Sequence, residues 1–204
     1  VVPLYWEKKI IGFYGVDNPP AESLDYVSDM LHIMGSFIVS SIRRRNLLRQ
    51  LERMSYRDQL TQFGNRYAVD WFVEHEWNGE QIGVVYCDIT GLKKVNDEQG
   101  HEAGDRLIIR ACECLAGVFK GYGLYRIGGD EFLVLCLGIE EKDLREHVEK
   151  LRMDMKEHQV TMAVGMIWKE RGPKDIDLLL NESERLMYED KDRYYKEHGL
   201  KRRR

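Results

Sequence analysis

Gly128-Gly129-Asp130-Glu131-Phe132 is the stretch whose reading decides this chain. Two adjacent glycines turn a hairpin with positive φ at no steric cost, and they leave backbone N–H groups that no Cβ shields. Two carboxylates follow at once, so a tight turn and two acids share the rim of a sheet. That combination suits a phosphate chain with its magnesium ion. Alone, the five residues are better described as an ordinary Gly-Gly hairpin with solvated acids. The surrounding sequence shifts that balance.

Strands at 122–126 and 131–137 flank the turn. Upstream, Gln81–Ile89 (QIGVVYCDI) reads as a buried strand that delivers Asp88 at its C-terminal end. Ile89-Thr90-Gly91-Leu92-Lys93 then opens a helix carrying Val95 and Asn96. Free N–H groups at a helix start attract phosphate, and Lys93 adds a mobile positive charge. With strand 82–89 beside the hairpin, Asp88 faces Asp130 and Glu131. Three carboxylates beside a phosphate cradle make a divalent-metal site. Each acid taken singly is an ordinary surface charge; all of them in this order are not.

Further helices are expected at Tyr67–Glu76, about 102–119, 140–156 and 174–197, with a strand at 160–168. The order β-α-α-β-β-α-β-α predicts an α/β domain with a mixed central sheet and helices packed on it. Before it, residues 4–16 read as a β-hairpin with Glu7-Lys8-Lys9 at the turn, ended by Asp17-Asn18-Pro19-Pro20. Two strands alone are marginal, so the hairpin must pack on something else. Leu24, Val27, Leu31, Met34 and Ile38 then step by three and four, and the seam resumes at Leu48, Leu51 and Met54. One long helix over 21–56 follows, able either to dimerise or to lie on its own domain.

The 204 residues carry a net charge of −4, which gives no basis for nucleic-acid binding. Lys201-Arg202-Arg203-Arg204 reads as a solvated tail. Leu31–Ile42 is apolar but shorter than the roughly 20 residues a membrane span needs. Cys87, Cys112, Cys114 and Cys136 lack paired zinc-type spacing, so buried free thiols in a reducing cytoplasm are expected. Valine at position 1, with no signal-peptide pattern, points to a processed chain or a piece of a longer one.

With these motifs in place, the chain resembles the GGDEF family of diguanylate cyclases. The match opens with Asp58-x-Leu60-Thr61 and Asn65-Arg66, and continues through Asp88-Ile89, Leu92-Lys93, Asn96-Asp97, Gly100-His101 and Gly104-Asp105. It runs on through Arg126-x-Gly128-Gly129-Asp130-Glu131-Phe132 to Met187-Tyr188 and Lys191, covering roughly residues 57–196.

The resemblance implies a palm-like, ferredoxin-like nucleotidyl cyclase fold preceded by a long signalling helix. It implies condensation of two GTP into cyclic di-GMP with release of two pyrophosphates, by a cytoplasmic homodimer. Asp88, Asp130 and Glu131 would be catalytic. Asp88, the Ile89 carbonyl, Asp130 and Glu131 would hold Mg2+ (or Mn2+). Lys93 and Lys191 would contact the triphosphate, with the backbone of Gly91, Leu92, Gly128 and Gly129 close to it, and Asn96 and Asp105 would read guanine. The alternative is an inactive GGDEF module that acts as a receptor for GTP or cyclic di-GMP.

The implied domains are a GAF-like hairpin remnant of an upstream sensor at 1–20, a linker and dimerisation helix at 21–56, and a GGDEF domain at 57–204. No membrane contact is expected within these residues. Four departures stand out. Thr90-Gly91 replaces an acid-aromatic pair. Phe119-Lys120-Gly121-Tyr122 stands where many members carry an inhibitory Arg-x-x-Asp product site. Tyr195 replaces a basic residue, and Gln62-Phe63 replaces Gly-Leu.

Overall fold

The computed structural model describes residues 1–6, 9–54, 56–173 and 175–199. The chain divides into two compact units, Val1–Ser55 and Tyr56–Arg204. Glu7 and Lys8 of the expected turn and the Lys201–Arg204 tail lie outside the described residues.

In the first unit, β1 (Val2–Trp6) and β2 (Lys9–Tyr14) pair antiparallel. A short 3-10 turn, Ala21–Ser23, leads into α1 (Leu24–Met54). The hairpin finds its support on α1. Leu31 is buried, the Tyr14 hydroxyl donates to the Leu31 carbonyl, and a Cβ on Gly35 would meet Leu4 and Tyr14 side-chain atoms at 3.3 Å. Leu31 of the predicted seam therefore serves the hairpin, whereas Ile33, Met34, Phe37, Leu47 and Leu48 are exposed. Among the described residues, no helix is long and apolar enough to cross a membrane.

The second unit is built on a four-stranded sheet in the order β4-β5-β3-β6. Its elements are α2 (Arg66–His75), β3 (Ile82–Ile89), α3 (Leu92–Gln99), α4 (His101–Val118), β4 (Gly123–Arg126), β5 (Glu131–Leu137), α5 (Glu141–Glu157), β6 (Met162–Lys169) and α6 (Asp177–Glu197). Every residue of β3 is buried, so the strand is covered on both faces, as its nearly unbroken apolar run requires.

Alternation then divides the core. Val85, Cys87, Ile89, Phe132 and Val134 pack with α3, α4 and α5 residues; Val84, Tyr86, Leu133 and Leu135 pack with α2 and α6 residues. All four cysteines are free and buried, and burial pushes the Cys87 thiol up to about 12.

The expected mixed sheet is antiparallel at each of its three strand pairings, and the parallel component is a single bridge from Gly64 to Tyr125. The cause is topological. The crossover from β3 through α3 and α4 returns β4 parallel to β3 but leaves a gap, which β5 fills in the opposite direction from the Gly-Gly turn. A second crossover through α5 places β6 on the other side of β3. The site-bearing ends of β3 and β5 are thereby neighbours at the centre of the sheet.

Candidate functional site

Strand register places the first acids. Asp88 on β3 stands directly opposite Glu131 on β5, and both side chains belong to the α2/α6 face by alternation. Asp130 is the last residue of the turn, and its carbonyl accepts the Ile89 N–H at 2.9 Å. Asp88, Ile89, Asp130 and Glu131 are therefore brought together at one end of the two central strands.

Asp88 is only 4% exposed, and Lys191 Nζ on α6 reaches its Oδ1 at 2.6 Å. Lys191, expected against a triphosphate, thus compensates a buried carboxylate that would otherwise be costly to ionise. Among the described residues, no group of three His, Cys, Asp or Glu side chains is gathered at metal-holding geometry. The trio expected for magnesium shares a rim rather than forming a closed cage.

Three carboxylates at one strand end are nonetheless a donor set of the kind a divalent cation takes. Burial, then the charges of Asp130, Asp88 and Glu184, raise the Glu131 carboxyl above its ordinary value, against a hydrogen bond from Tyr86. A cation held at this rim would relieve that repulsion.

The residues expected to meet the nucleotide lie on α3 and α4. Gly91 caps α3 in the left-handed region at φ 88, and open space surrounds the place a Cβ would take. Lys93 and Asp105 are exposed, and the Leu92 side chain is buried in the core. Asn96 is half-buried against α4: a Cβ on Gly104 would fall 1.9 Å from its Oδ1. Gly104 is thus the residue that lets Asn96 sit between the two helices.

Tyr86, Asp177, Asn181 and Glu184, which the sequence did not single out, also stand near the acids. A cavity of about 420 Å3 opens beside Glu131, with Arg66, Tyr86, Asp177, Asn181 and Glu184 in its walls. Glu184 stands one turn before Tyr188 and two before Lys191 on α6, a spacing that could have added it to the face those two residues mark. In the opening signature, Asn65 caps α2 by accepting from the Ala68 N–H, and Asp58 accepts from the Thr61 N–H and hydroxyl.

The departures also have structural answers. Phe119 is fully buried beside His147, with Tyr122 packed on the same ring, so an aromatic cluster fills the place of the Arg-x-x-Asp pair. Phe63 meets Phe132 edge to face at 6.2 Å. Tyr195 packs against Tyr194.

An antiparallel sheet with its acids at a Gly-Gly turn, with helices packed on both faces, is the architecture of the GGDEF structures to which the chain is similar. The chain belongs to the GGDEF family: the family model described as "Diguanylate cyclase, GGDEF domain" matches residues 55–196. It is similar to the bifunctional diguanylate cyclase/cyclic di-GMP phosphodiesterase MucR of Pseudomonas aeruginosa, 29% identical over 172 residues, covering 77% of this chain and 25% of that protein. Diguanylate cyclase DgcP of Escherichia coli is 26% identical over 184 residues, covering 79% of this chain and 54% of DgcP.

The chain thus spans between a quarter and about half of these relatives' length. Among solved structures, the coiled coil and GGDEF domain of DgcB from Caulobacter crescentus, in complex with c-di-GMP, superposes with a TM-score of 0.60 at 20% identity. That match covers 87% of this chain and 96% of the other, and it supports the fold, including a helix ahead of the domain.

Proposed function

We propose that this chain is a diguanylate cyclase acting in cyclic di-GMP signalling. It joins two GTP molecules into cyclic di-GMP and releases two pyrophosphates. The observation that carries the reading is the register pair Asp88–Glu131 beside the Gly128-Gly129-Asp130 turn, which puts three acids at one strand-end rim. The family and its relatives support the same reading.

In each half-reaction the 3′-oxygen of one GTP bonds to the α-phosphorus of the other. The bond from that phosphorus to the pyrophosphate oxygen breaks, and the hydroxyl proton departs with help from Asp130. Positioning and charge neutralisation provide most of the catalysis in such a step. Asp88, the Ile89 carbonyl, Asp130 and Glu131 would hold a magnesium or manganese ion, which supplies positive charge at the phosphate oxygens. Gly91 and the start of α3 offer backbone N–H groups to the triphosphate, and Lys93 and Lys191 offer cations. Asn96 and the Asp105 carboxylate select guanine through its N1–H and 2-amino group.

One domain holds one GTP, so two copies must meet face to face, a C2 homodimer. The exposed apolar residues of α1 support that assembly, and the hairpin at 1–20 is taken as the end of a GAF-like upstream sensor. Incubation with GTP and magnesium, followed by chromatography for cyclic di-GMP, tests the reading. GTP bound without turnover in the dimeric protein would favour the receptor instead.

A further inference from the structure

We infer that Arg126 is a positioning residue that fixes the direction of the Asp130 side chain by clamping the turn behind it. The inference deepens the cyclase reading and rests on it for its kinetic part. Arg126 Nη2 donates to the Gly129 carbonyl at 2.7 Å and Nε to the same oxygen at 3.3 Å. Its Nη1 donates to Asp58 Oδ1 at 3.1 Å. One guanidinium fork therefore ties the turn to the Asp58–Thr61 loop, with only 13% of its side chain exposed.

The loop at the far end of the clamp is itself anchored. Asp58 Oδ1 accepts from Thr61 N–H at 2.9 Å and Thr61 Oγ1 at 2.7 Å, closing a tight turn. Gly64 N–H donates to the Leu124 carbonyl at 2.9 Å, and Arg126 N–H donates back to Gly64 at 2.7 Å, which binds the loop to β4. A Cβ on Gly64 would lie 2.4 Å from the Tyr125 ring, so this approach requires glycine.

The consequence falls on Asp130. Its own carbonyl is held from β3 by the Ile89 N–H at 2.9 Å. The preceding carbonyl, Gly129, is held by Arg126. The two peptide planes that flank the Asp130 Cα are thus both pinned, and with them the Cα–Cβ direction. Two glycines give the turn freedom to wander, and the Arg126 fork removes it. Lysine cannot substitute, because a point ammonium lacks the planar set of donors that spans Gly129 and Asp58 together.

The test compares Arg126→Lys and Arg126→Gln in the full chain. Arg126→Lys keeps a cation for Asp58, so its Tm stays near that of the unmodified protein. Its kcat should nevertheless fall about 10²-fold, with the KM for GTP within about threefold, because misplacement near 1 Å costs on that order. Arg126→Gln should lose both rate and Tm. A kcat in Arg126→Lys that recovers together with Tm overturns the positioning role.

Amide hydrogen exchange at Ile89 reads the turn without turnover, and it should quicken in both variants. An unmodified protein that makes no cyclic di-GMP sinks the cyclase reading alone. In that case unchanged Ile89 exchange in both variants overturns the clamp, and faster exchange upholds it.

Discussion

Lys191 Nζ lies 2.6 Å from Asp88 Oδ1, joining α6 to the end of β3 with side chains 14% and 6% exposed. A pair this dry is held by Coulomb attraction that water screens little, and breaking it strands a charge. Lys191→Ala is expected to lower the unfolding free energy by about 3 kcal/mol in chemical denaturation. Magnesium should restore more stability to this variant than to the unmodified protein, because the cation takes over the compensation of Asp88. A magnesium response equal in the two proteins would remove Asp88 from the cation site.

Glu131 sets a pH dependence of opposite sign to that of a salt-bridged acid. Its carboxyl is raised by burial and by Asp130, Asp88 and Glu184, so the folded state binds this proton more tightly than the unfolded chain. The stability it lends is full below the ordinary carboxylate range and is lost as pH rises through the raised value. Glu131→Gln should abolish that loss and leave the variant more stable than the parent at neutral pH without metal. Denaturant midpoints measured across that range, with and without magnesium, check this. Magnesium should shrink the difference by favouring the ionised acid.

Gln62 holds φ 61 in the left-handed region, at the position where the family pattern carries glycine. A side chain with a Cβ is strained there. Gln62→Gly is expected to stabilise the protein by about 0.5–1 kcal/mol, the relief of strain exceeding the added freedom of the unfolded chain. An unchanged or lower Tm would show that the bond from Gln62 Nε2 to the Gln59 carbonyl outweighs the strain.

Much of this molecule is legible locally. Strand β3 announces itself by an unbroken apolar run, the Gly-Gly pair announces the β4–β5 turn, and Gly100 separates α3 from α4. Asp88 opposite Glu131 follows once β3 and β5 are neighbours. What local pattern cannot supply is pairing between distant segments. The sheet direction depends on which strand fills the gap left by a crossover, a global choice. Lys191 finding Asp88, and Glu184 and Tyr86 meeting Glu131, depend on how α6 lies across the sheet. That placement rests on Gly165 in β6, where a Cβ would strike the Ser183 carbonyl at 2.0 Å. Seam periodicity in α1 likewise could not say that Leu31 is spent on the hairpin.

The central claim is that these acids serve condensation of GTP. The most direct measurement incubates the purified chain with GTP and magnesium, at concentrations where sedimentation shows a dimer, and quantifies both products. Cyclic di-GMP and pyrophosphate are expected in a one-to-two ratio, with the rate reduced on the order of 10²-fold or more in Asp130→Ala. Binding of GTP with no cyclic di-GMP formed by that dimer, or an Asp130→Ala rate equal to that of the parent, would contradict it.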